Sequence, residues 1–422
     1  MVQVKQSDML LKTFGILFLG LIGLYMMWPL WSETPLSASF TVACFCLFLT
    51  VILDGLTKAN VGIRSGVFLG YISLLFWMGI MAYVYEECYH THSRSNFFFI
   101  NLDSHAMFFL MVLISCIPAM VFVDMYKLRA NKFLALLLLV VLATTAFFTF
   151  RAVSVNPNAI RGSRTMEFLG QGELLFGTPS YSTIYSLMFM IPIFLHKAIN
   201  TKGFYKKAYI ICFILSLYMV AVSQLATALL ISALGILIYL FFRVKQSSKL
   251  GILFLILVIV LFMINNNGYN LLMSLADSIE GDWSRKLLDI AKYFAGEQDA
   301  GMISGRVEFY KDSWESFKLS PIFGKIFENS GKIGGHATAI DVLGLTGLFG
   351  FIPFVIAIIC NGYRMSSISN TSYSKPIIYA VVLQMMFMVF TKNIITALPI
   401  LFTYFVLVPL FIKLESSEDI LK

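Results

Sequence analysis

The sequence predicts an all-α polytopic membrane protein of about twelve transmembrane helices, and three observations predict it. Apolar residues make up 59% of the 422-residue chain and charged residues only 13%, half the charged share of an ordinary soluble domain. Forty Phe and 21 Met, with a mean hydropathy of +0.82, are more apolar surface than a soluble core of 47.5 kDa hides. Twelve apolar stretches are each of a length that crosses roughly 30 Å of hydrocarbon as a helix. The same figures exclude collagenous, disordered and disulfide-rich secreted classes.

The stretches lie near 13–30, 36–53, 66–85, 105–123, 132–150, 180–196, 208–222, 225–242, 250–266, 337–360, 377–391 and 394–412. The run 208–242 carries no charge. As one helix it would be roughly 50 Å long at about 1.5 Å per residue, so it must be two spans with a tight turn near Ser223-Gln224. The first span follows Lys5 and Lys12 as a signal peptide would, but Trp28-Pro29-Leu30-Trp31 reads as an interfacial aromatic exit, which predicts a retained anchor.

Positive charge collects in alternate loops. With both termini cytoplasmic, Lys and Arg on the outer side fall in two long loops, where the positive-inside rule is weak, save for Arg94 and Lys392. The expected organisation is one integral membrane domain over 1–422, with an arginine-bearing outer loop at 151–179 and a large outer loop at 267–336. No long cytoplasmic loop and no Walker or dinucleotide glycine motif is present. Any chemistry is therefore outside and runs without ATP. The net charge of +8 is cytoplasmic anchoring charge, not a nucleic-acid footprint. Five of the six cysteines lie inside apolar runs and read as buried filler. His90 and His92, near Glu86, Glu87 and Cys88, are weak evidence for a metal site.

Within the large loop, Val307, Tyr310, Trp314 and Phe317 mark one face of a helix. Ser304 is placed to cap its start, and Ser320-Pro321 followed by Gly324 stops it. Trp283, Leu287, Ile290 and Phe294 mark a second amphipathic helix. Both suit the outer membrane–water interface, or packing of the loop on the bundle. Every Lys and Arg is in a loop or at a span end, so the lipid core holds no fixed charge, which counts against an ion-coupled carrier.

Arg151, Arg161 and Arg164 give the shorter outer loop three rigid guanidinium forks, suited to a phosphate or pyrophosphate and equally to lipid headgroups. Arg306 shares a helix edge with Tyr310, Ser313 and Phe317, beside two glycines; recognition and interfacial snorkelling both fit that position. His336 lies in Gly334-Gly335-His336-Ala337-Thr338, where the large loop re-enters the membrane. It is placed for proton transfer, for donation to phosphate, or for packing. Beyond it Gly344, Gly347 and Gly350 recur every three residues, which predicts close approach of neighbouring helices.

The ordered combination of Gly305-Arg306, Trp314, Leu319-Ser320-Pro321-Ile322-Phe323-Gly324 and Gly335-His336-Ala337-Thr338, opening a glycine-bearing helix through Gly350, resembles the O-antigen polymerase/ligase superfamily of bacterial envelope glycosyltransferases. The resemblance covers roughly 220–350. It implies a membrane-embedded glycosyltransferase of the GT-C-like kind, without metal or other cofactor, in the bacterial cytoplasmic (inner) membrane. The implied substrates are glycans linked to undecaprenyl pyrophosphate at the outer face, in the lipid bilayer, with a chain-length regulator and a flippase as partners. Arg306 and His336 match the family's functional positions. Where the family often has a Ser-Arg pair, this chain reads Ser223-Gln224. Gln224 then stands at a substrate-binding position without the cation, and Arg151, Arg161 and Arg164 are the expected replacements. The form Gly-Gly-His-Ala-Thr and the missing arginine favour an O-antigen or capsule repeat-unit polymerase. An O-antigen ligase is the alternative, and a glycolipid flippase or other carrier is the reading from a different class. A carrier built of two repeats would show matching halves, and the loops here are lopsided.

Overall fold

The structure, a computed structural model, describes residues 2–57, 65–88, 94–97, 100–128, 132–160, 175–244, 266–278, 282–294, 302–327, 332–369, 374–394 and 397–412. The elements in chain order are α1 (Val2–Met27), α2 (Pro29–Ser32), α3 (Ala38–Thr57), α4 (Ser65–Tyr83), a short antiparallel hairpin of β1 (Arg94–Phe97) and β2 (Ile100–Asp103), α5 (Ser104–Met125) and α6 (Lys132–Val155). There follow α7 (Tyr181–Asn200), α8 (Gly203–Val222), α9 (Ala226–Arg243), α10 (Asn266–Ser278), α11 (Asp282–Phe294), α12 (Met302–Leu319), α13 (Thr338–Ser369) and α14 (Lys375–Thr391). Last come α15 (Leu398–Phe402), a π-helical turn at Thr403–Leu407, and α16 (Val408–Ile412).

Among the described residues nine helices are long and apolar enough to cross a membrane; α14 and the run Leu398–Ile412 are shorter apolar helices. These account for all the predicted spans except 250–266, which lies, but for its last residue, outside the described residues. The protein is an all-α polytopic membrane protein, with the hairpin as an addition that the apolar pattern gave no sign of. The uncharged run breaks where expected: α8 ends at Val222, Ser223 and Gln224 turn, and α9 starts at Ala226. The outer surface carries exposed Phe14, Phe45, Phe68, Phe133, Phe147 and Leu230, as befits a bundle whose solvent is lipid.

Inside, polar side chains repair the backbone at prolines, which matters where no water can. Pro192 of α7 has no N–H for the Met188 carbonyl; Gln384 Nε2 of α14 donates to that carbonyl at 3.1 Å and to Ile231 O of α9 at 3.0 Å. Pro409 likewise leaves the Phe405 carbonyl open, and Arg364 Nη1 donates to it at 2.6 Å. Arg364 is at a span end, as expected of every basic residue, but it is buried there. The span predicted to end near 360 continues to Ser369, and Arg364 is buried one turn before that end. Its Nε donates to both carboxylate oxygens of Asp124, at 2.9 and 2.8 Å, Nη2 donates to Met120 O at 3.1 Å, and Tyr71 Oη donates to the same carboxylate. The charge is affordable because its counter-charge and backbone acceptors come from two other segments, α5 and the π-helical turn, a pairing that no local pattern announces.

Contacts at the helix ends sort into two sets. Asp124, Arg364, and Lys12 over the Tyr126 ring meet at one end. At the other, Gly177 N donates to Glu33 Oε2, Gln224 reaches Pro157, and Thr338 reaches Lys392. The chemistry gathers at this second end.

Candidate active site

α13 is broken in its first third. Gly347 has φ of +60°, a left-handed conformation costly for any residue with a Cβ, and the turn after α12 fills the break. Lys325 N donates to Leu345 O at 2.8 Å, while Leu348 N and Phe349 N donate to Pro321 O and Ile322 O, each at 2.9 Å. The proline-containing turn that ends α12 thus supplies the hydrogen bonds the kinked helix lacks. This corrects the expected role of the three glycines. Only Gly344 admits a neighbouring helix, with a Cβ there standing 2.8 Å from Ser313 O of α12; Gly347 admits the turn, and Gly350 faces Thr346 of its own helix.

α12 begins at Met302, so Ser304 is inside it and is not its cap, and it ends at Leu319 as expected. Its packed face is also not the aromatic one. Ser313 and Ser316 are buried, whereas Val307 and Trp314 are exposed and Tyr310 and Phe317 half-buried. Small hydroxyl residues let α12 lie close on α13, and the aromatics are left on the outward side, where they suit a membrane interface. In α11, Ala291 is buried and Leu287 half-buried; the side chains of Trp283, Ile290 and Phe294 lie outside the described residues.

The His336 loop is built on Asp341. This buried carboxylate accepts from Ser313 Oγ (2.7 Å), Gly335 N (3.2 Å) and Ala337 N (3.0 Å), so both neighbours of His336 are tied to one side chain. Gly334 N donates to Ser313 Oγ at 2.9 Å. On the far side, Thr338 N and Oγ1 donate to Lys392 O at 3.0 and 2.9 Å, and Asn393 Nδ2 donates to Gly335 O at 3.0 Å. Gly335 takes φ of +73°, which turns the chain over the carboxylate. His336 itself is exposed, with its ring 4.3 Å from that of Phe309, one helical turn after Arg306 in α12. The backbone is tied on both sides and the imidazole is exposed, which is how a working side chain is presented.

A second cluster forms at the Gln224 turn. Gln224 takes φ of +56°, its Nε2 donates to Pro157 O at 2.9 Å, and its own carbonyl accepts from Lys286 Nζ of α11. A cation therefore does reach this turn, a lysine from the large loop. Arg151 is exposed in the last turns of α6, with its guanidinium 5.3 Å from the Phe148 ring centre. Arg161, Arg164 and the Arg306 side chain lie outside the described residues, as do His90 and His92. The two clusters are connected through α11, which packs on α12. Among the described residues no group of three or more His, Cys, Asp or Glu side chains is gathered as metal ligands.

Sequence reasoning missed Asp341, Ser313 and Lys286. Asp341 was visible in principle: a carboxylate in the first turn of a helix reaches back to N–H groups before it, as in a capping box. Lys286 had no such signal, since nothing local says that α11 folds over the 223–224 turn.

No curated protein matches the chain. Residues 211–325 match the family model for O-antigen ligase, a segment that contains Gln224, Lys286, Arg306 and the turn that fills the break in α13, and that stops before His336. Over that segment, set in a multi-pass membrane bundle, the chain is similar to the O-antigen ligase family, which supports the resemblance to the O-antigen polymerase/ligase superfamily.

Proposed function

We propose that the protein is an O-antigen or capsule repeat-unit polymerase, acting at the outer face of the bacterial cytoplasmic membrane with both termini inside. It transfers a growing glycan from undecaprenyl pyrophosphate to a lipid-linked repeat unit. The observation that carries this reading is the His336 loop, whose backbone is held by Asp341 and Lys392 while its imidazole is exposed beside the helix that bears Arg306. In the reaction an acceptor hydroxyl oxygen bonds to the donor's anomeric carbon, the bond from that carbon to the pyrophosphate oxygen breaks, and His336 takes the hydroxyl proton. Arg306, with Arg151, Arg161 or Arg164 and the polar turn at Gln224, stabilises the charge that develops on the leaving pyrophosphate. Arginine forks supply that charge without a metal ion, so activity should persist in EDTA.

The lipid-linked and surface glycans after deletion of the gene test the assignment. Single repeats on lipid A core support a polymerase. Long polymer stranded on undecaprenyl lipid would identify a ligase, and loss of all outer-face glycan a flippase.

A further inference from the structure

The Lys392 side chain has no role in either cluster so far, yet the structure builds the residue into the site. It follows α14 directly, in the short segment before α15, and its backbone is part of the His336 loop's support. Its carbonyl accepts from Thr338 N and Oγ1, Thr338 Oγ1 accepts from Ile394 N at 2.7 Å, and the next residue, Asn393, holds Gly335 O. The side chain points to α7, the helix that follows the arginine-bearing loop. Nζ lies 5.6 Å from the Tyr181 ring centre and 5.7 Å from that of Tyr185. The two rings are 4.8 Å apart and their hydroxyls 3.4 Å apart. Two π faces fix the ammonium without neutralising it.

Among the described residues no carboxylate lies within ion-pair distance of Lys392, and the residue is half-buried. A cation that has lost part of its hydration, is held by aromatic faces and carries no counter-charge attracts an anion strongly. With Arg94 it is also one of two basic residues that the sequence places in short outer loops, where basic residues are disfavoured.

We propose that Lys392 is a substrate-binding residue that contacts the phosphates of the lipid-linked donor, with Tyr181 and Tyr185 holding its ammonium in place and offering their hydroxyls to the same anion. This rests on the reading of the protein as an enzyme of lipid-linked pyrophosphates. Because the loop is supported by the Lys392 carbonyl, replacing the side chain leaves the His336 support in place.

The test is binding of farnesyl pyrophosphate to the purified full-length protein in phosphatidylcholine nanodiscs, for wild type, Lys392→Gln and Lys392→Arg, with melting temperature recorded for each. The expected result is a Kd about tenfold weaker in Lys392→Gln, largely restored in Lys392→Arg, and steeper salt dependence in the charged forms. In turnover assays the loss should fall on KM more than on kcat. Equal binding by Lys392→Gln and wild type overturns the proposal. So does an equal loss in both variants, which would mean a packing role. If adding phosphatidylglycerol to the nanodiscs abolishes wild-type binding while farnesol fails to compete, Lys392 is a lipid-headgroup contact and the proposal also falls. These outcomes are independent of the glycan profile, which judges the polymerase reading separately.

Discussion

Ser313 Oγ donates to Asp341 Oδ1 at 2.7 Å, and both residues are buried. This one bond joins α12, which carries Arg306, to α13, which His336 precedes, so the spacing of the two candidate catalytic groups is set by residues that are neither. Asp341→Asn should keep the volume but turn one acceptor oxygen into a donor facing a backbone N–H. We expect turnover to fall by roughly tenfold or more, with Ser313→Ala milder, in a protein that still reaches the membrane. Unchanged turnover in purified Asp341→Asn would mean that the loop's position does not matter for catalysis.

Arg306 is expected to act through its fork. Arg306→Lys keeps the charge and loses the paired donors, so it should fail nearly as badly as Arg306→Ala, by about 100-fold. The measurement is glycan chain length in cells at matched protein level. Full-length glycan in Arg306→Ala cells would remove the residue from the mechanism.

For His336, pH separates two roles. A base needs the neutral ring, so the rate should rise as pH passes the imidazole pKa, ordinarily about 6.5; a cationic donor to pyrophosphate needs the protonated ring, so the rate should fall there. We expect the rise, measured with purified enzyme and synthetic lipid-linked repeats, and its loss in His336→Gln. Near-normal turnover in both His336→Ala and His336→Gln would make His336 a packing residue.

Arg364 and Asp124 should matter for stability and not for chemistry, since they lie at the opposite end of the bundle. Breaking the pair from one side, as in Arg364→Met, leaves a half-buried carboxylate without its counter-charge and should cost somewhat less than the roughly 3 to 5 kcal/mol of a fully buried pair. Arg364→Met with Asp124→Leu should recover much of that. Detergent melting curves of the single and double variants decide it, and a double variant no more stable than the single would mean that the repaired carbonyls, not the charges, dominate.

Sidedness is checked by labelling. Cysteines introduced at Gly172 and Asn329 should react with an impermeant reagent from outside, and those at Ser247 and the exposed Lys202 should not. The reverse pattern would put the site in the cytoplasm, where the proposed donor chemistry does not occur. Ser369 is buried and would report nothing.

Composition and hydropathy alone determined the membrane bundle, nearly all its spans, and the turn at Ser223-Gln224, because lipid demands long apolar helices whatever they pack against. The order of residues through 304–350 also carried the resemblance to the O-antigen polymerase/ligase superfamily and singled out Arg306 and His336 as candidates. Tertiary structure alone decided what holds them. That Asp341 ties down the His336 loop, that the turn after α12 fills the break at Gly347, and that Lys286 covers Gln224 are meetings of residues distant along the chain. So are Lys392 over Tyr181 and the pairing of Arg364 with Asp124 at the ends of their spans. Hydrophobic periodicity records which face of a helix avoids water; it carries no record of which polar atom, supplied by another helix, will meet an open carbonyl or a buried charge once the helices are packed.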